Sequence, residues 1–266
     1  MVEINIGCAG WDYKDWVATF YPKSLEKYNR LKFYSKFFDL IEINTTFYNI
    51  PKYSIVKKWN GIVPEKFKYV IKVWQKITHD IKVPNLPSLI SQFFYQLSPI
   101  QEKTVAYLLQ FPPWFKFTEK HFKQLNNLTN ELPSGNRYIF EFRDNSWFKK
   151  EIISEFIDGT KFILGTTYKP GLKAYYLPNQ DRYYIRLIGD RELTVFSHIQ
   201  RNQEEELSDL IQNVNNLEKS PDIREIFIIV NNHFMGFAPE SVNLLKKRFN
   251  LPFNQFNQQK KLSDYF

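Results

Sequence analysis

Two short segments place acidic and other polar residues two positions apart: Glu42-Ile-Asn44 and Glu141-Phe-Arg143. In an extended strand residues at that spacing share a face. Glu42, Asn44, Glu141 and Arg143 therefore project to one side of whatever sheet carries them. Burying such groups is costly unless they pair, hold a metal or meet a ligand. Lys72, Gln110, Arg186, Asn231 and Asn232 also close or follow apolar runs, and His79 and His233 add two imidazoles. The chemistry open to this set is proton transfer or water activation by Glu42, His79, Glu141 and His233. Glu42 and Glu141 would hold Mg²⁺ or Mn²⁺. Asn44, Lys72, Gln110, Arg143, Arg186, Asn231 and Asn232 would bind phosphate or substrate. A plainer role competes: ion pairs of Glu42 or Glu141 with Lys72, Arg143 or Arg186 that only hold the fold in shape. No ligand spacing within one element, such as His-x-x-x-His, strengthens the metal reading.

The elements that must position these residues follow from periodicity. Apolar runs occur at Glu3–Cys8, Asp39–Ile43, Lys68–Val73, Thr104–Gln110, Arg137–Phe142, Lys161–Thr166, Arg182–Leu187 and Glu225–Val230. Several are almost uninterrupted, as parallel strands buried on both faces require. Helical spacing fills most gaps, at Tyr28–Phe38, Ser54–Ile62, Leu86–Leu97, Glu119–Leu132, Lys149–Ile157, Gln203–Leu217 and Pro239–Phe249. Eight such units at this length predict an α/β fold, a single closed (β/α)₈ barrel of the TIM type over residues 1–250. Polar residues after each strand would then meet in one mouth. Residues 251–266 are polar and aperiodic, and are expected to form a flexible tail.

Composition narrows the classes. A single cysteine, Cys8, among 266 residues excludes a disulfide framework or a zinc site built on several thiolates. No apolar run reaches the roughly 18–20 residues that span a bilayer, so no membrane partner and a cytoplasmic location are expected. The 36 basic against 28 acidic residues leave a charge of +8, weakly favouring polyanions, and 18% of residues are aromatic. Core packing accounts for most such rings, but Trp11, Tyr48, Trp74 and Trp147 fall beside strand ends, where they would stack on the bases of single-stranded DNA.

The motifs Ile6-Gly-Cys-Ala-Gly-Trp11, Phe20-Tyr-Pro22, Glu42-Ile-Asn-Thr-Thr-Phe-Tyr48, Thr78-His79, Leu109-Gln-Phe-Pro-Pro113, Glu141-Phe-Arg143 with Ser146-Trp147, and Val230-Asn-Asn-His233 occur in one order. Together they resemble the YecE-like family, a domain of unknown function, across residues 4 to 249. The resemblance implies a single (β/α)₈ barrel and no settled reaction. One departure stands out: the family usually reads Arg-x-His-Gly after the seventh strand, whereas this chain reads Arg186-Leu-Ile188-Gly189. Ile188 can neither bind a metal nor carry a proton.

The last residues, Gln259-Lys-Lys-Leu262-Ser-Asp-Tyr265-Phe266, form a second motif. Positions i, i+3, i+6 and i+7 share one face of a tight helical turn. The pattern resembles the peptide box that binds the sliding clamp PCNA, with Leu262, Tyr265 and Phe266 as an apolar plug and Gln259 hydrogen-bonding beside it. Clamp box, basic charge and polar mouth favour a DNA-processing enzyme, specifically a metal-dependent nuclease of repair or replication. The alternatives are a small-molecule hydrolase or isomerase on the same barrel, and a non-catalytic adaptor between clamp and DNA.

Overall fold

In the computed structural model, which describes residues 2–80 and 85–256, eight parallel strands close into a barrel in sequence order. The strands are β1 (Glu3–Ala9), β2 (Leu40–Ile43), β3 (Lys68–Lys72), β4 (Thr104–Gln110), β5 (Tyr138–Glu141), β6 (Phe162–Tyr168), β7 (Arg182–Leu187) and β8 (Glu225–Val230). The helices are α1 (Arg30–Tyr34), α2 (Thr45–Tyr48), α3 (Tyr53–Ile62), α4 (Gln75–Thr78), α5 (Leu86–Leu97), α6 (Glu119–Glu131), α7 (Lys150–Ile153), α8 (Glu204–Leu217), α9 (Asn232–Met235) and α10 (Ala238–Arg248). Every predicted strand is found, shifted at its ends by two residues at most. The (β/α)₈ reading holds.

Alternation along the strands divides two cores. Outward residues such as Ile41, Ile71, Leu109, Phe140 and Ile228 pack beneath the helices. Inward residues form a smaller cluster around Leu40, Val70, Leu108, Ile139, Tyr184 and Phe227. This apolar layer lies between two charged ones. At the strand N-termini Lys68 contacts Glu3 at 2.6 Å and Glu225 at 3.0 Å, and Arg182 Nε donates to Glu225 at 2.6 Å. The other charged layer lies at the strand C-termini and contains the candidate site.

Local chemistry explains where the helices depart from the periodic reading. The expected helix over Lys149–Ile157 is only α7, because the chain must reverse into β6. Gly159, at φ +78°, makes that turn, and the Asp158 carboxylate accepts from the amides of Thr160, Lys161 and Phe162 at 2.7, 2.7 and 3.0 Å. The expected helix over Tyr28–Phe38 is split into a 3₁₀ turn, Lys27–Asn29, and the five residues of α1. Between β6 and β7 there is no helix. There the Gln180 side chain takes up the Leu164 backbone, accepting from its N–H at 2.5 Å and donating to its carbonyl at 3.3 Å. The short helices α2, α4 and α9 follow β2, β3 and β8 at once or within a few residues, turning Phe47, His79 and His233 around the rim.

The packed unit extends past residue 250. The Leu251 amide donates to the Lys246 carbonyl at 2.8 Å, and the Phe256 ring meets Phe20 at 5.1 Å and Phe237 at 6.0 Å. The first residues of the expected flexible tail are thus part of the barrel wall. The clamp-box residues Gln259, Leu262, Tyr265 and Phe266 lie outside the described residues.

Closure of β1 on β2 depends on Gly7, where an added Cβ would lie 2.1 Å from the Leu40 carbonyl oxygen. Gly7→Ala must push backbone against backbone. It is expected to cost about 2 kcal/mol or more, which lowers the melting temperature by at least roughly 4 °C. An unchanged melting curve would show that β1 can move aside.

Candidate active site

Arg186, 2% exposed, is the centre of the polar layer at the strand C-termini. Its Nε and Nη2 donate to Glu42 Oε2 and Oε1, each at 2.7 Å, as a fork on one carboxylate. Its Nη1 donates to Glu141 Oε2. Tyr184, two residues earlier on the same face of β7, donates its hydroxyl to Glu42 Oε2 at 2.5 Å. Arg143 Nε stands against Glu141 Oε1 as an ion pair without hydrogen-bond alignment. Burial alone would raise the Glu141 pKa, but Arg143, Arg186 and Lys72 outweigh it and hold it below the usual glutamate value.

Lys72 is left over from this pairing. It ends β3 and is partly exposed; its carbonyl accepts from the Thr46 hydroxyl at 2.6 Å, but its side chain has no hydrogen-bond or ion-pair partner among the described residues. Its Nζ lies 4.0 Å from the centroid of the Phe47 ring. Burial, with Arg186 and Arg143, outweighs the pull of Glu141 and Glu42 and brings its pKa from 10.5 down to about 7. His79 packs on the same Phe47 ring at 5.0 Å, and its Nδ1 lies 2.9 Å from the Thr78 hydroxyl. Burial, Lys72 and Arg143 depress its pKa from 6.5 to about 4, so it is neutral at pH 7. Two other groups here lack partners among the described residues. They are the terminal nitrogens of Arg143 and the buried Thr167 hydroxyl, the latter in register with Arg186. The mouth thus holds saturated carboxylates and unsaturated donors.

An aromatic groove of about 930 Å³ opens beside it. Trp11, Asp12 and Tyr13 after β1 line it together with Asn44, Tyr48 and Trp59. Trp11 meets Trp59 edge to face at 5.4 Å, while Tyr48 is 61% exposed. A cleft of about 1040 Å³ at the opposite end, lined by Thr104, Arg137 and Glu225, lies at strand N-termini. In barrels of this type that end stabilises the fold and the C-terminal end carries the chemistry.

The structure therefore brings Glu42, Glu141, Lys72, Arg143, Arg186 and His79 together, with Gln110 ending the neighbouring β4 and its amide donating to the Phe111 carbonyl at 2.8 Å. It redirects the others. Arg186 is spent on carboxylates and offers nothing to phosphate. Glu42 and Glu141 meet arginine or tyrosine through every oxygen, so this donor set does not fit Mg²⁺ or Mn²⁺, and no group of three metal-ligating residues exists among the described residues. Trp147 is fully buried, stacked 4.4 Å from Phe142 with its Nε1 donating to the Phe115 carbonyl at 2.6 Å; it is core, not a base platform. Asn231 caps α9 by accepting from the His233 amide at 3.0 Å. Asn232 accepts from Trp16 Nε1 at 3.1 Å and from the Ala238 amide at 2.9 Å. The His233 ring packs edge to face on Phe196 at 4.9 Å, with Arg191, Asp190 and Arg201 as its charged neighbours, apart from the Arg186 group. Trp74 donates from Nε1 to the Tyr48 carbonyl at 3.3 Å and carries Lys76 4.8 Å from its ring centroid. Tyr184 and Trp59 were not singled out from sequence. Tyr184 was open to discovery, since it precedes Arg186 by two.

A closed parallel barrel with an ion-paired centre, and at its mouth a lysine with no ion-pair partner among the described residues, defines a (β/α)₈-barrel protein whose candidate active site lies at the strand C-termini. The chain belongs to the family described as Protein of unknown function DUF72, whose model matches residues 5–264. UPF0759 protein YunF of Bacillus subtilis is 23% identical over 267 residues, covering 90% of this chain and 92% of that protein. UPF0759 protein YecE of Escherichia coli is 29% identical over 147 residues, covering 55% of this chain and 51% of that protein. Crystal structures of DUF72 family proteins share the fold. The one from Thermotoga maritima has a TM-score of 0.77 at 24% identity, covering 93% of this chain and 99% of that one. The one from Enterococcus faecalis has a TM-score of 0.75 at 23% identity, covering 95% and 99%. These findings agree with the family read from the sequence motifs. No helix among the described residues is long and apolar enough to cross a membrane.

Two stability predictions follow from the ion-pair centre. Arg186→Met leaves Glu42 and Glu141 buried without their shared countercharge, and should cost about 3–5 kcal/mol in urea unfolding at pH 7. The Glu141 carboxylate, held below its ordinary pKa, stabilises the fold above pH 4.5 and loses that contribution as the pH falls through its folded value. The deficit of the variant should therefore narrow in acid; a deficit independent of pH would point to lost packing instead. Lys72→Met should act in the opposite direction. A lysine with a depressed folded pKa destabilises the fold fully below pH 7, and the penalty fades as the pH rises to 10.5. The variant should melt higher than wild type at pH 7 and lose that advantage near pH 10.5.

Proposed function

We propose that the protein is a DNA-processing enzyme that cleaves a strand at the barrel mouth. The observation that carries this reading is the set of unpartnered cationic ends, Lys72 Nζ and the terminal nitrogens of Arg143, beside the aromatic groove. Cations without protein partners match phosphate oxygens, and exposed rings match bases of a single strand. In this reading the free end of Arg143 meets the phosphate, Lys72 stands beside it in the mouth, and His79, neutral at pH 7, takes a proton. Trp11, Tyr48 and Trp59 hold the neighbouring nucleotides. Glu42, Glu141 and Arg186 position these groups and touch no substrate. The net charge of +8 acts in the same direction but distinguishes little by itself.

Recruitment is the second part of the proposal. Gln259, Leu262, Tyr265 and Phe266 keep the spacing of a PCNA-binding box. We assign them to docking on a sliding clamp, with the aromatic pair as the main anchors.

Fluorescence anisotropy with a labelled single strand tests the mouth. Binding should be tight at low salt, weaken as salt rises and be unchanged by EDTA. Arg143→Gln and Trp11→Ala should each weaken it by about tenfold, equivalent to about 1.4 kcal/mol. Binding that neither substitution alters would place DNA elsewhere, and no binding at low salt would overturn the reading. Clamp pull-down should be lost on deleting residues 259–266; retained capture would remove the box assignment.

A further inference from the structure

We propose that Lys72 forms an imine with the aldehyde of a phosphate-bearing sugar, and that the strand is cut by elimination and not by hydrolysis. The inference rests on the reading that the mouth takes DNA. It narrows the substrate to DNA with a free sugar aldehyde, as at a site that has lost its base.

The carboxylate routes to an activated water for phosphodiester hydrolysis are a free carboxylate and a metal held by carboxylates. Neither is at hand, because Glu42 is forked on Arg186 and held by Tyr184, while Glu141 lies between Arg186 and Arg143. What the mouth does offer is an amine. Lys72 is half-buried, and its Nζ is without a hydrogen-bonding partner among the described residues, 4.0 Å from the Phe47 ring centroid. The charged and titratable groups around it are Glu42 at the end of β2, Glu141 and Arg143 at the end of β5, Arg186 on β7, and His79 after α4. Burial and the two guanidiniums win over the two carboxylates and leave its pKa at about 7, so a large share of molecules carry the neutral amine at that pH. A neutral lysine amine in such surroundings is the nucleophile that carbonyl chemistry requires.

The step balances without an oxidant, a reductant or a metal. The Nζ lone pair adds to C1′ of the open-chain sugar. The carbonyl oxygen leaves as water, with one proton taken from solvent, and a protonated imine remains. The C2′–H proton then passes to a ring nitrogen of His79; Nε2 is the one left free by the Thr78 contact. The C–H electron pair forms the C1′=C2′ bond of an enamine. That electron density returns to break C3′–O, and the 3′ phosphate leaves with the bonding pair beside the free end of Arg143. Water hydrolyses the resulting imine, restoring the Lys72 amine and releasing an unsaturated aldehyde.

The test is reductive trapping on the full-length wild-type protein. It is incubated with borohydride and either a single strand containing one abasic site or deoxyribose 5-phosphate, and the adduct is mapped by peptide mass spectrometry. The expected result is an adduct on Lys72 with the abasic strand, insensitive to EDTA, with trapping half-maximal near pH 7. Without borohydride the same strand should be cleaved 3′ to the abasic site. Lys72→Arg keeps the charge and should lose both trapping and cleavage. An adduct on another amine, or none with either substrate, overturns the proposal without relying on the folding of any variant. Trapping at Lys72 by the sugar phosphate alone keeps the imine and removes DNA as its source. Tight binding of the abasic strand with no adduct does the reverse: the DNA reading stands and the imine fails.

Discussion

The grip of one arginine on two carboxylates sets the character of the whole mouth. Arg186 gives all three guanidinium nitrogens to Glu42 and Glu141, residues 144 and 45 positions away in sequence. Fixing that guanidinium therefore ties β2, β5 and β7 together across the barrel interior. A buried ion cluster of this kind is poor value as a source of stability compared with apolar packing. Its effect is on specificity: it fixes which groups are neutralised and which are not. Once both glutamates are satisfied, Lys72 and the ends of Arg143 remain as the cations in surplus, and His79 is driven to its neutral form. The unpartnered groups at the mouth are what pairing leaves behind.

The same balance separates the paired from the unpaired parts of the layer. Charged Lys72 is a burden on the fold that no local hydrogen bond relieves, since its nearest company is the face of Phe47. An arriving anion would supply the countercharge that the protein withholds, so ligand and fold would stabilise each other through one amine. At the other end of the barrel the arrangement is different. Lys68, Glu3, Glu225 and Arg182 are mutually paired, as suits a floor that holds strands in register.

Much of this was legible in the sequence, for identifiable reasons. Strands buried on both faces read as continuous apolar runs, so Ile226-Phe-Ile-Ile-Val230 and its counterparts stood out. The two-residue spacing placed Glu42, Glu141 and Arg143 on the inner face, and internal ion pairing was already the competing explanation for them. Which carboxylate meets which cation was not legible, because it depends on how distant strands are staggered around the closed barrel. Trp147 shows the opposite failure. Its place just after a strand suggested the rim, but the 3₁₀ turn Asn145–Trp147 swings the indole inward onto Phe142. Asn232 was misread for a similar reason, as its partner Trp16 is 216 residues away in the chain. Helix ends were lost where a single turn residue, such as Gly159, decides the path.

The apolar layer between the two charged ends has a further consequence. Leu40, Val70, Leu108, Ile139, Tyr184 and Phe227 fill the barrel axis, so the interior is a stopper and not a conduit. Protons and water cannot be relayed from one end to the other through it. Whatever enters at the Arg186 end must leave by the same opening, and every proton exchanged there is drawn from the solvent above. The mouth is a one-door chamber, and whatever occupies it excludes the next arrival.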